Sequence, residues 1–279
     1  MTGSQGTSAL AKLQESILLV GAGKMGSAML QGWLTLGVEP RRLVVVEPQP
    51  SPEIQALGAR GLALNPAPEH VGPVAAVVLA VKPQTAPAVT PSLTQYVART
   101  SVIVSIMAGR SLKFLEAAFP GAAVVRAMPN TPASIGRGIT VAVASAHVTD
   151  DQRALVHALL AAVGAVEWIR DEPLMDAVTA VSGSGPAYVF LLAECLAQAG
   201  IAAGLPTELA QRLACATAAG AGDLLQRSGL PPSQLRENVT SPGGTTAAAL
   251  EVLMAQNGLA PLMVKAIAAA TTRSRELAG

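Results

Sequence analysis

The stretch Ile17-Leu18-Leu19-Val20-Gly21-Ala22-Gly23-Lys24-Met25-Gly26 decides the fold. Four apolar residues bounded by glycine read as a buried strand. Behind the glycines, residues 24–36 carry Met25, Met29, Trp33 and Leu36 at spacings of three and four, the period of a helix that faces a core. The turn between them fits G-x-G-x-x-G. Gly21 permits the tight turn, Gly23 lets the backbone approach a pyrophosphate, and Gly26 lets helix pack on strand. The N-terminus of the helix, at Lys24 and Met25, then stabilises the negative charge. Glu47 ends the next β-branched run, 21 residues beyond Gly26, where a carboxylate accepts hydrogen bonds from ribose hydroxyls. Together these features predict dinucleotide binding; the bland alternatives are a glycine turn without ligand and a Glu47 that faces solvent. A carboxylate also repels a 2′-phosphate. Arg41 and Arg42 stand at the opposite end of that strand, and nothing basic follows in Pro48-Gln49-Pro50-Ser51, which favours NADH.

Further continuous apolar runs at 75–81, 102–106 and 122–126 read as strands, and 139–143 is expected to close the sheet. Residues 84–98 read as helical despite Pro87 and Pro91, and 149–163 as an amphipathic helix capped by Thr149 ahead of Asp150 and Asp151. Continuous runs alternating with helices predict an α/β fold, a parallel sheet covered on both faces. Ligands of such sheets lie at the carboxyl ends of the strands. That directs Val81-Lys82-Pro83 and Met107-Ala108-Gly109 toward the cofactor, although Lys82 also reads as a solvated surface lysine.

After about residue 171 strand patterns stop. Segments 186–204, 206–227, 246–257 and 259–278 read as helices, with Pro near several starts and Gly near several ends. Glu194 is the only charge in 186–204, the mark of a helix buried on every side. About 100 residues cannot easily bury such a helix alone, so a second subunit is expected to interlock with it. The expected plan is a loose tail over 1–15 with no signal peptide, a dinucleotide-binding domain over 16–170 and a helical dimerisation and substrate domain over 171–279.

The balance of 19 basic and 18 acidic residues leaves no electrostatic footprint for nucleic acid or anionic lipid. Charged residues make up 13% of the chain, against about 25% in ordinary soluble domains. With 51% hydrophobic residues this excludes a disordered chain and points to polar surface lost between copies. The apolar run 74–81 is too short to span a membrane, and Ser182-Gly183-Ser184-Gly185-Pro186 is expected to break the uncharged stretch 177–193. No membrane partner is therefore expected. Cys195 and Cys215 read as buried thiols of a reducing compartment, the cytoplasm. His70, His147 and His157 have no metal-ligand spacing, so no metal is expected.

Three segments carry a resemblance: Val124-Val125-Arg126-Ala127-Met128-Pro129-Asn130-Thr131-Pro132, then Val181-Ser182-Gly183-Ser184-Gly185-Pro186-Ala187-Tyr188, then Val239-Thr240-Ser241-Pro242-Gly243-Gly244-Thr245-Thr246. In this order, between about residues 17 and 277, they resemble the pyrroline-5-carboxylate reductases, which make proline from its cyclic imine with NADPH or NADH. The resemblance implies a Rossmann-type N-terminal domain and an all-helical dimerisation domain, with dimers that assemble further. It matches Thr246 to a threonine that hydrogen-bonds the substrate, and Gly243, Gly244 and Thr245, with Ser241 ahead of them, to the loop that holds the substrate carboxylate. Asn65, Ala80, Lys82 and Pro83 match cofactor-lining positions, and Met128-Pro129-Asn130 is placed near the nicotinamide. Two departures stand out. Glu47 runs against the NADPH that many members use, and Leu230-Pro231-Pro232 replaces a His-Pro that many carry ahead of the last segment.

The chemistry agrees. An iminium arrives protonated, so the site mainly orients it and clamps its carboxylate. Gly243-Gly244-Thr245-Thr246 opens a helix whose free N–H groups suit a carboxylate, or it is merely a helix cap. Ser182-Gly183-Ser184-Gly185-Pro186 likewise reads as a cap or as a ligand contact. Two rivals are weighed. A hydroxyacid dehydrogenase of related plan needs a general base, and residues 186–204 hold neither Lys nor His. A non-catalytic nicotinamide sensor would not need Ser241–Thr246.

Overall fold

The computed structural model describes Leu10 and residues 14–278; most of the expected tail, 1–9 and 11–13, lies outside the described residues. The chain divides into two compact units, one of the described residues up to Gly183 together with those from Thr271 on, the other Ser184–Ala270.

The first unit is built on a sheet of β1 (Ser16–Val20), β2 (Leu43–Val46), β3 (Ala63–Leu64), β4 (Val74–Leu79), β5 (Val102–Ser105), β6 (Ala123–Met128), β7 (Gly138–Ala144) and β8 (Gly164–Trp168), in the order β3-β2-β1-β4-β5-β6-β7-β8. From β3 to β6 every pair is parallel, and the strand order reverses beside β1. The apolar runs are continuous because both faces are covered. One face buries Ile17, Leu19, Val45, Val78 and Val104. It packs on Met29 and Trp33 of α1 (Lys24–Thr35) and, past the short α2 (Pro52–Gly58), α3 (Ala86–Leu93) and α4 (Leu112–Ala118), on Leu159 of α5 (Asp150–Ala161). The opposite face buries Leu18, Val20, Val77 and Ile103 against Leu93 of α3 and Leu115 of α4. The indole N–H of fully buried Trp33 donates to the carbonyl of Leu159 at 2.9 Å, which satisfies its one polar atom. Thr149 and Gln152 form a reciprocal capping box at the start of α5, as Thr149 foretold.

Two sheet expectations need correction. The run 139–143 does not close the sheet: β7 lies antiparallel to β6, and β8 continues beyond it. A continuous apolar run reads the same in either direction, so sequence carries no sign of the reversal. The edge strand β8 alternates half-buried and exposed residues and lacks the apolar density of the inner strands.

α6 (Met175–Val178) leads through a π turn, Thr179–Gly183, into α7 (Gly185–Ala202). The expected break at Ser182–Pro186 is thus absent: Glu172–Ala202 is one helical path, long and apolar enough by length and composition to cross a membrane. Pro186 is tolerated in the first turn of α7, where its missing N–H needs no partner. Ser184 contributes no side-chain cap, and the Ser182 hydroxyl donates to the carbonyl of Val178.

The second unit adds α8 (Thr207–Ser228), α9 (Pro232–Asn238), α10 (Thr245–Leu253) and the greater part of α11 (Leu259–Ala278). α7 packs along α8 through small residues, with Ala197, Ala210 and Ala214 buried and Gly200 beside Ala210. Within one chain α7 is not buried on every side: Val189, Phe190, Leu191 and Leu192 are exposed. Cys195 and Cys215 are exposed as well, contrary to expectation. Among the described residues, Ala197 is the one residue of α7 that is fully buried.

Candidate active site

The glycine turn divides its labour. Gly21 has φ +89°, and a Cβ there would stand 2.8 Å from the backbone of Ala80, so the turn is pressed against the end of β4. Ala80 N–H donates to the Val20 carbonyl, which fixes the same contact. A Cβ on Gly26 would stand 2.3 Å from the carbonyl oxygen of Gly21, a distance at which α1 could not keep its place. Gly23 has nothing within 4 Å of its Cβ direction. α1 begins there without a side-chain cap, with Lys24 exposed and Met25 half-buried. An uncapped helix start behind an open glycine fits the pyrophosphate of a dinucleotide.

Glu47 and Asn65 are brought to this turn together. The Glu47 carboxylate accepts from Ala22 N–H at 2.7 Å on Oε2 and from Gln49 N–H at 2.9 Å on Oε1. The side-chain amide of Asn65 holds the Glu47 backbone on both sides, accepting its N–H at 2.8 Å and donating to its carbonyl at 2.9 Å. Asn65 has φ +46°, alone among the described non-glycine residues in having a positive φ. Arg41 and Arg42 sit in a 3-10 turn ahead of β2, and Arg41 pairs with Glu39 at 2.6 Å, so the strand does separate them from Glu47.

The turns after β4 and β5 meet. Lys82 is exposed and Val81 and Pro83 are half-buried. The Pro83 carbonyl accepts from Nε and Nη2 of Arg110, at 3.0 and 2.7 Å, which ties this turn to the loop Met107-Ala108-Gly109-Arg110. Ala108 is exposed in that loop. After β6, Pro129 is buried, and the Asn130 side chain accepts from Ile139 N–H at 2.9 Å. Met128 lies against Gly183, where a Cβ would come within 2.5 Å of its Cε.

Sequence reading missed three residues here. Besides Arg110, these are buried Arg126 and its partner Glu172, paired at 2.8 Å; the same Glu172 oxygen accepts from Leu112 N–H at the start of α4. The signal was one charged residue inside the apolar run Val124-Val125-Arg126-Ala127.

In the second unit, Ser241-Pro242-Gly243-Gly244 turns into α10. Gly243 has φ +69°, and Gly244 N–H donates to the Ser241 carbonyl at 3.1 Å. α10 starts at Thr245, one residue ahead of expectation, and no side chain caps it. Thr246 is half-buried and Ser241 exposed. The hydroxyls of this loop therefore do not act as helix caps.

Strand order, glycine cradle and acidic clasp define a Rossmann-class dinucleotide-binding protein with a helical second unit. Residues 172–277 match the family model described as pyrroline-5-carboxylate reductase dimerisation, and residues 16–109 the one described as NADP oxidoreductase, coenzyme F420-dependent. A pyrroline-5-carboxylate reductase of Synechocystis sp. is 40% identical over 261 residues, 93% of this chain and 97% of its own. The chain belongs to the pyrroline-5-carboxylate reductase family. Among solved structures, a pyrroline-5-carboxylate reductase from Coxiella burnetii superposes with a TM-score of 0.88 at 33% identity, covering 96% of this chain and all of its own. The pyrroline carboxylate reductase of Plasmodium falciparum, solved with NADP bound, gives 0.80 at 29% identity, covering 95% of this chain and 99% of its own.

Proposed function

We infer that this protein reduces 1-pyrroline-5-carboxylate to L-proline with NAD(P)H, the last step of proline biosynthesis. The observation that carries the reading is one chain, alike along almost its whole length to such reductases, that holds both an uncapped glycine cradle and a second glycine turn opening an uncapped helix.

When bound, NAD(P)H supplies the hydride that the imine carbon accepts. An iminium substrate brings its own proton, and the π pair of the C=N bond becomes the lone pair of the proline nitrogen. What remains for the protein is binding and orientation. The backbone at Gly21, Gly23, Lys24, Met25 and Gly26 holds the pyrophosphate, and Glu47 and Asn65 form the adenosine end. Ala80, Val81, Lys82, Pro83, Ala108, Met128, Pro129 and Asn130 line the remainder. The first N–H groups of α10, reached past Ser241, Gly243, Gly244 and Thr245, hold the substrate carboxylate, and the Thr246 hydroxyl hydrogen-bonds the substrate. Glycine at these turns lets the backbone come close. The protein works as a homo-oligomer in the cytoplasm, a second copy covering the apolar face of α7.

Following NADH and NADPH oxidation with pyrroline-5-carboxylate supplied tests the activity; oxidation of neither would overturn it. Thr246→Ala is expected to lower kcat/KM at least tenfold, about 1.4 kcal/mol of transition-state stabilisation, while cofactor affinity stays within about twofold. Unchanged turnover would remove Thr246 from the site.

A further inference from the structure

We propose that this chain prefers NADH over NADPH, and that Glu47, held in place by Asn65, is the specificity-determining residue. The proposal rests on the dinucleotide reading of the cradle and deepens it at the adenosine end.

Glu47 closes β2 beside the point where the strand order reverses, the position at which such sheets hold the adenosine ribose. Its carboxylate is fixed there. One oxygen accepts from Ala22, inside the glycine turn, and the other from Gln49. Both partners are backbone amides, so the negative charge is oriented without being neutralised by a Lys or Arg. An ionised carboxylate only accepts, and each oxygen retains a further lone pair. Ribose hydroxyls can donate to these. A 2′-phosphate cannot, and it brings about two negative charges of its own to the same place. Arginine is the usual device for receiving that phosphate. Here Pro48, Gln49 and Pro50 follow Glu47, while Arg41 lies ahead of the strand, paired with Glu39.

Asn65 is the positioning residue. Both ends of its amide are spent on the Glu47 backbone, and its own N–H donates to the carbonyl of Val45 at 2.8 Å. It accepts a positive φ to do so, a conformation that persists only where the surroundings enforce it. Asparagine is one of the few residues that enters this region readily. The clasp fixes the backbone from which the Glu47 side chain projects, and the Ala22 and Gln49 amides hold the carboxylate itself in the path of an incoming 2′-phosphate.

The test is calorimetric titration of the full-length protein with NADH and with NADPH, no imine present. The unaltered protein is expected to bind NADH at least tenfold more tightly. Glu47→Ser should lower the NADH-to-NADPH affinity ratio at least tenfold, and Glu47→Asp should keep NADH preferred. Asn65→Gly keeps the positive φ free of steric strain and removes the side-chain clasp; it should lower the ratio at least threefold. Equal binding, tighter NADPH binding, or a ratio untouched by Glu47→Ser would overturn the proposal, and a ratio untouched by Asn65→Gly would remove Asn65 from it. Efficient imine reduction with NADPH preferred would sink this inference and leave the activity standing. Normal NADH preference without imine reduction would do the reverse, and failure to bind either dinucleotide would overturn both.

Discussion

At the residue scale, the three glycines of the first turn look alike in sequence and differ in what surrounds them. Gly26 faces the Gly21 carbonyl, whereas Gly23 faces open space. Gly23→Ala is therefore expected to leave the urea unfolding midpoint unchanged yet weaken NADH binding at least tenfold, because its new methyl stands where backbone and pyrophosphate would meet. Gly26→Ala should cost about 1–3 kcal/mol of stability, by overpacking, and weaken binding as well. Equal loss of stability in the two variants would refute the division. The spacing of the glycines was legible because it is a local property. The bond from Glu47 to the Ala22 amide was not, since two strands must first lie side by side.

At the element scale, the inner strands were legible because burial on both faces forces continuous apolar runs. The direction of β7 and the existence of β8 were not, since pairing partners are not written in a strand's own composition. Arg126 is the exception that an apolar strand carries, and its charge is met by Glu172 from a segment 46 residues away. Glu172→Ala leaves that guanidinium and the Leu112 amide without their shared acceptor. Breaking a buried pair costs about 3–5 kcal/mol; with a quarter of the Glu172 side chain exposed, about 2–3 kcal/mol is expected in chemical denaturation. A loss below about 1 kcal/mol would show the pair to be solvated.

At the scale of the whole molecule, the second unit exposes large apolar side chains, Phe190 and Val252 among them, to an extent that polar-rimmed monomers rarely show. Residues 172–277 match the family model described as pyrroline-5-carboxylate reductase dimerisation, which supports the assignment of a homo-oligomer. Phe190→Glu is expected to shift the light-scattering mass toward a single chain or to cause aggregation. A single-chain mass for the unaltered protein would contradict the assignment, and so would membrane partition of the Glu172–Ala202 helix.

The sequence by itself determined the alternation of strands and helices, the glycine cradle, the acid after β2 and the glycine-rich loop before α10. Each follows from short-range chemistry: side-chain period, backbone freedom and charge at a helix end. Only the tertiary structure decided which partners those groups hold, namely the Glu47 carboxylate on the Ala22 amide, Asn65 around Glu47, Arg110 on Pro83 and Arg126 on Glu172. These bonds join residues 18 to 46 positions apart, and their geometry is set by how strands are ordered in a sheet, which the composition of no single segment encodes.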